Sequence, residues 1–133
     1  MKRMRVLLAG LLVGSLVVLA LATGPASATA TSAKVTIGNQ ALLLPDGTAV
    51  LTVTYTCAPG PAGDSTGTVA ADLGQGPILG FASTTAICDN RSHSVNLQVA
   101  PGPFSNGSGT ALAIVQNIDA SSFATSSRGV TIR

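Results

Sequence analysis

Asp89 and His93, four positions apart, are the one pairing in the sequence suited to acid–base chemistry. His93 is the sole histidine among 133 residues, so any mechanism needing an imidazole must use it. With a serine, the pair could form a Ser-His-Asp triad, the carboxylate orienting the ring and the ring taking the hydroxyl proton. No G-x-S-x-G elbow and no oxyanion-hole loop accompany it. Serine is abundant, so a serine near His93 is expected by chance. The spacing instead predicts a partly buried strand-end histidine, sharing a face with Val95 and Leu97. The five carboxylates, Asp46, Asp64, Asp72, Asp89 and Asp119, lie far apart in the chain. They give neither the flanking pair of a glycosidase nor the alternating oxygen donors of a calcium loop. No catalytic residue, metal ligand or cofactor site is assigned, and the chain reads as a non-enzyme.

Cys57 and Cys88 are the only cysteines. A redox pair would call for C-x-x-C spacing, and a metal site for a partnering histidine cluster; neither is present. An even count in an oxidising compartment points to one disulfide. The aromatics number four, Tyr55, Phe81, Phe104 and Phe123, with no tryptophan. That leaves little platform for stacking on sugars or bases. Tyr55 is expected to point inward with Leu51 and Val53. Phe104 and Phe123 fall in loop-like segments, where they either plug the ends of the fold or form a recognition surface. Gly74-Gln75-Gly76 and Gly107-Ser108-Gly109 lack a lysine and a following helix, so they are turns rather than phosphate cradles. Asn90-Arg91-Ser92 and Asn106-Gly107-Ser108 match the glycosylation sequon within turn-forming sequence.

The elements that must position these residues begin after an export signal. Lys2, Arg3 and Arg5 precede an apolar run from Val6 to Ala22, Gly24-Pro25 breaks it, and Ala26-Ser27-Ala28 is an A-x-A cleavage signature. Ala30 and Ala33 are alternative cut points. A run of 17 residues containing Gly10, Gly14 and Ser15 is at the short limit for a transmembrane anchor, which favours cleavage. Residues 29–133 then form one domain with four cations and five anions, formally −1, so the basic charge of the whole chain belongs to the signal. That excludes a nucleic-acid binder relying on a basic surface, and leaves no stable membrane insertion after cleavage. Glu and Met are absent from this part, and Ser and Thr supply 25 of its 105 residues.

Period-two alternation dominates it. From Thr48 to Cys57, Ala49, Leu51, Val53 and Tyr55 share one face and threonines the other. Ser92–Val99 and Gly109–Ile118 alternate likewise. Weaker candidates are Lys34–Ile37, Thr66–Leu73, Ile78–Ser83, Thr84–Cys88 and Ala124–Ile132. Pro45-Asp46-Gly47, residues 58–64, 74–77 and 101–107 read as turns and loops. Seven or eight short strands near ten-residue spacing predict an all-β antiparallel sandwich.

The V-T-Y-T-C strand ending at Cys57, the Cys88-Asp89 turn, Ser92-His93-Ser94-Val95 and Pro101-Gly102-Pro103-Phe104 together resemble uncharacterised secreted domains of actinobacteria. The resemblance covers residues 34–133 and implies an immunoglobulin-like β-sandwich with one disulfide and an extracellular or envelope location. It implies no activity. The chain lacks the core tryptophan of antibody domains, and 30 residues between the cysteines are few for their usual bridge. Three function classes follow. The first is a monomeric, secreted, non-catalytic module binding a protein or small molecule. The second is a small-ligand carrier similar to the enediyne-binding apoproteins, for which a deep apolar cleft rimmed by Phe81 or Phe104 would speak. The third is an extracellular hydrolase using His93.

Overall fold

A computed structural model describes residues 33–133. The export signal expected over residues 1–28 and the alternative cut point expected at Ala30 lie outside the described residues. The described chain is all-β, with seven strands and no helix: β1 (Lys34–Leu43), β2 (Ala49–Thr56), β3 (Thr66–Gln75), β4 (Ile78–Ile87), β5 (His93–Pro101), β6 (Gly107–Asn117) and β7 (Phe123–Ile132). The two expected strands Ile78–Ser83 and Thr84–Cys88 are one continuous strand, β4. Ser83 and Thr84 carry no turn signal, and both pair in register with β3, at Ala70 and Val69.

The strand order is β1-β2-β5-β4-β3-β6-β7, closing back onto β1. Long antiparallel ladders join β1-β2-β5 into a three-stranded sheet and β4-β3-β6-β7 into a four-stranded one. Where two separate sheets were expected, thin seams on both sides unite them into one closed barrel. On one side β4 meets β5 only at Gly80↔Pro101 and Phe81↔Ala100. On the other, β1 meets β7 in parallel at Gln40↔Thr131 and Ala41↔Ile132. With two residue pairs at each seam, closure shortens the free edges of β1, β4, β5 and β7 rather than removing them. At the parallel seam the register of β1 shifts between Ile37 and Ala41, and Arg128 Nη1 donates a 2.9 Å hydrogen bond to the Ile37 carbonyl.

The alternation of β2 builds the centre of the core: Ala49, Leu51, Val53 and Tyr55 are all buried. Val35, Ile37, Leu97, Val99, Val69, Leu73, Val115, Val130 and Ile132 complete it from the other strands. Burying each Leu, Ile or Val contributes about 1.5–3 kcal/mol. Cys57, just beyond β2, and Cys88, just beyond β4, form a disulfide with Cα atoms 4.6 Å apart. It ties the two sheets at one end of the barrel.

Phe104 corrects one of the alternatives read from the sequence. It lies in the Pro-Gly loop between β5 and β6, yet it is only 4% exposed, so it is no surface recognition residue. Its N–H donates to the Gly47 carbonyl at 2.7 Å, and its ring fills the end of the core over Gly80. A Cβ at Gly80 would lie 2.9 Å from that ring, so the plug depends on a glycine there.

Candidate functional site

The histidine site is local and structural in its contacts. His93 Nε2 lies 2.8 Å from Asp89 Oδ1, the ring donating and the carboxylate accepting. The same carboxylate accepts the Arg91 N–H at 3.0 Å, which closes the turn between β4 and β5. The His93 hydrogen bond is the foremost cause holding the Asp89 carboxyl below its ordinary range. The ring centroid of Tyr55 sits 5.7 Å from that of His93, and the Tyr55 hydroxyl accepts the Ile87 N–H at 2.9 Å. Among the described residues no serine hydroxyl bonds to His93; Ser94 Oγ pairs with Thr54 Oγ1 instead. The hydrogen bond that would activate a nucleophile is therefore not formed.

The five aspartates divide sharply. Asp46, Asp64, Asp89 and Asp119 each accept the backbone N–H two residues ahead, from Thr48, Thr66, Arg91 and Ser121. These are Asx turns, the ordinary use of Asp in loops. Asp72 stands in the middle of β3, and its carboxylate takes neither a hydrogen bond nor an ion pair among the described residues. Asp is disfavoured within strands, so no local structural need accounts for it. No group of three or more potential metal ligands occurs among the described residues.

The surroundings of Asp72 are apolar. Register places Phe81 of β4 and Leu112 of β6 directly opposite it on either side, and Ala70 and Ile114 in the next row of the same face. Leu79 continues the face on β4, opposite Gly74, and Phe123 lies further along it on β7, opposite Gln116. Seven large apolar side chains are exposed among the described residues, and six of them belong to this sheet or its ends; only Leu42 does not. Phe123 is 54% exposed and Phe81 57% exposed. Of the two phenylalanines singled out as a recognition surface, the structure places Phe123 on this face and Phe104 in the core.

The face arises because β4 and β6 invert the usual size pattern. Apart from Ile78 and Val115, their inward apolar positions carry small residues, Gly80, Ala82, Ala86, Ala111 and Ala113, while Leu79, Phe81, Ile87 and Leu112 point out. A shallow groove of about 240 Å³ runs along the β4–β5 seam, lined by Asp72, Leu79, Gly80, Phe81, Ala100 and Pro101. A smaller hollow of about 60 Å³ lies across Phe81 toward Leu112 and Ile114, and Asp72 borders both.

The opposite sheet has a different outer surface. Thr52 Oγ1 donates to Asn96 Oδ1 at 2.8 Å, Thr54 and Ser94 share a hydrogen bond at 2.9 Å, and Gln98 Nε2 donates to Thr48 Oγ1 at 2.9 Å. Cross-strand pairing satisfies these groups within the sheet itself. Comparison with family models and with curated proteins finds no match for the chain. Its function must accordingly be argued from the site.

Proposed function

We infer that the protein is an exported, monomeric, non-catalytic binding module whose recognition face is the outer surface of the four-stranded sheet. The carrying observation is the gathering of Leu79, Phe81, Leu112 and Phe123 on that one surface while alanine and glycine occupy the core positions behind them. Contiguous exposed apolar surface on a soluble domain marks an interaction site. Export is supported by the cationic, apolar N-terminal segment and by a disulfide of the kind that persists in oxidising compartments. Two sheets stapled by one bridge are also consistent with the immunoglobulin-like sandwich of secreted actinobacterial domains.

The groove at Phe81 favours, as a second reading, a small-ligand carrier. Its volume, about 240 Å³, falls below the roughly 300–1,000 Å³ typical of ligand pockets, and Phe104 closes the core beneath it. A macromolecular surface fits better than an enclosed ligand. The hydrolase reading has no nucleophile bonded to His93.

The test is affinity capture from the culture medium and cell envelope of the producing organism. It compares the wild-type protein with Phe81→Ser/Leu112→Ser and with Thr52→Ala/Thr54→Ala. A partner retained by the threonine variant and lost by the apolar-face variant is expected. Equal retention by both variants contradicts the assignment of the face.

A further inference from the structure

The geometry points to the groove between Asp72 and Phe81 as a docking pocket for an arginine side chain presented by a protein partner. This rests on the recognition face proposed above and names what that face reads.

Asp72 is the only one of the five aspartates with no turn to close. It is exposed, and it stands level with Phe81 across the β3–β4 ladder and with Leu112 across β3–β6. Directly opposed residues on a sheet face carry Cβ atoms about 5 Å apart, so carboxylate and ring can be reached by one side chain. A guanidinium suits that combination. It stacks on an aromatic face, forks onto a carboxylate with two parallel N–H···O bonds, and lays its apolar stem along hydrocarbon. Leu79, Ala100 and Pro101 supply the hydrocarbon along the groove. An ammonium would satisfy the charge but not the stacking or the fork. The groove, about 240 Å³ and open, matches one long side chain rather than a whole organic ligand. The domain's own cations do not compete: among the described residues no Lys or Arg pairs with an aspartate, and Arg128 is held by the Ile37 carbonyl.

The experiment is an NMR titration of the ¹⁵N-labelled protein with blocked tripeptides, Ac-Gly-Xaa-Gly-amide, where Xaa is Arg, Lys, Leu or Glu. The arginine peptide is expected to shift the amides of Asp72, Phe81 and Ala100 saturably in the millimolar range, more tightly than lysine. Asp72→Asn should weaken it roughly three- to fivefold, and Phe81→Leu should remove the preference for arginine over lysine. Added salt should weaken the arginine peptide and leave the leucine peptide unchanged. Binding of the leucine peptide equal to that of arginine, or unaltered by Asp72→Asn, overturns the arginine assignment while the apolar recognition face stands. Absence of saturable shifts on this face with any peptide overturns both. Concentration-dependent shifts of the same amides in the free protein would assign the groove to a second copy of the chain. Self-association appearing only in Asp72→Asn would make the carboxylate a guard against sheet-to-sheet contact. Either result overturns the inference.

Discussion

Asn117 is 1% exposed, yet every polar atom of its amide is engaged. Its Nδ2 donates to the Ala58 carbonyl at 3.1 Å and to Ser121 Oγ at 2.9 Å, and its Oδ1 accepts the Ser122 N–H at 3.1 Å. Ser122 Oγ in turn accepts the Ala58 N–H at 3.2 Å. The group locks the β6–β7 turn to the loop after Cys57. Asn117→Ala strands the half-buried Ala58 carbonyl and the buried Ser122 N–H, so urea denaturation should show a loss of about 2 kcal/mol. Nothing in the sequence around Asn117 announced this, because its partner at Ala58 is 59 residues away. The Asx turns at Asp46 and Asp89, by contrast, were legible, since donor and acceptor are two residues apart. Hydrogen bonds from Thr48 and Thr66 hold the Asp46 and Asp64 carboxyls below their ordinary range, as His93 does for Asp89. Their native pKa values lie under the unfolded ones, so the unfolded chain binds more protons in acid. The stabilisation is complete above the ordinary carboxylate range near pH 4 and is lost as pH falls through the depressed native values. Calorimetric Tm should therefore drop on acidification below about pH 4, less steeply in Asp46→Asn/Asp64→Asn; an unchanged acid slope would count against this origin.

At the scale of elements, β2, β5 and β6 were readable because one face of each alternates cleanly and is buried. The length of β1 was not: Gly38-Asn39-Gln40 looks like a loop, but a register shift carries the strand through it to Leu43. Alternation also left the inward face of β6 open, since Ala111 and Ala113 oppose Leu112 and Ile114 and both sets are apolar. Size would suggest Leu112 inward; packing chose the alanines, with Ala111 opposite Leu73 and Ala113 opposite Ala71 on β3. Phe104 shows the converse, a Pro-Gly loop carrying a core residue. The disulfide joins the ends of β2 and β4 across a separation of 31 residues. Closing a loop of that length contributes about 3 kcal/mol in the chain-entropy view. Cys57→Ala/Cys88→Ala should lower the stability by that order while keeping the β-sheet circular dichroism signature. A loss under 1 kcal/mol would mean that the barrel seams hold the sheets without it.

Across the whole molecule, the two outer faces differ in kind. The three-stranded sheet presents hydroxyls and amides bonded to one another, whereas the four-stranded sheet presents Leu79, Phe81 and Leu112 around Asp72, with Phe123 further along the face on β7. An all-β fold with one disulfide could be read from the sequence. Closure into a barrel could not, because two residue pairs at each seam leave no local pattern. The apolar face proposed for recognition was half visible, through Phe123 and the cleft rim expected at Phe81, and was obscured by the inverted size pattern of β4 and β6. Site-specific photo-crosslinking in the producing culture tests the face most directly. A photo-reactive amino acid is placed at position 81 or 112 on the four-stranded sheet, and at 52 or 96 on the three-stranded one. Discrete adducts from 81 and 112 alone are predicted; adducts from 52 and 96 in equal or greater yield would contradict it.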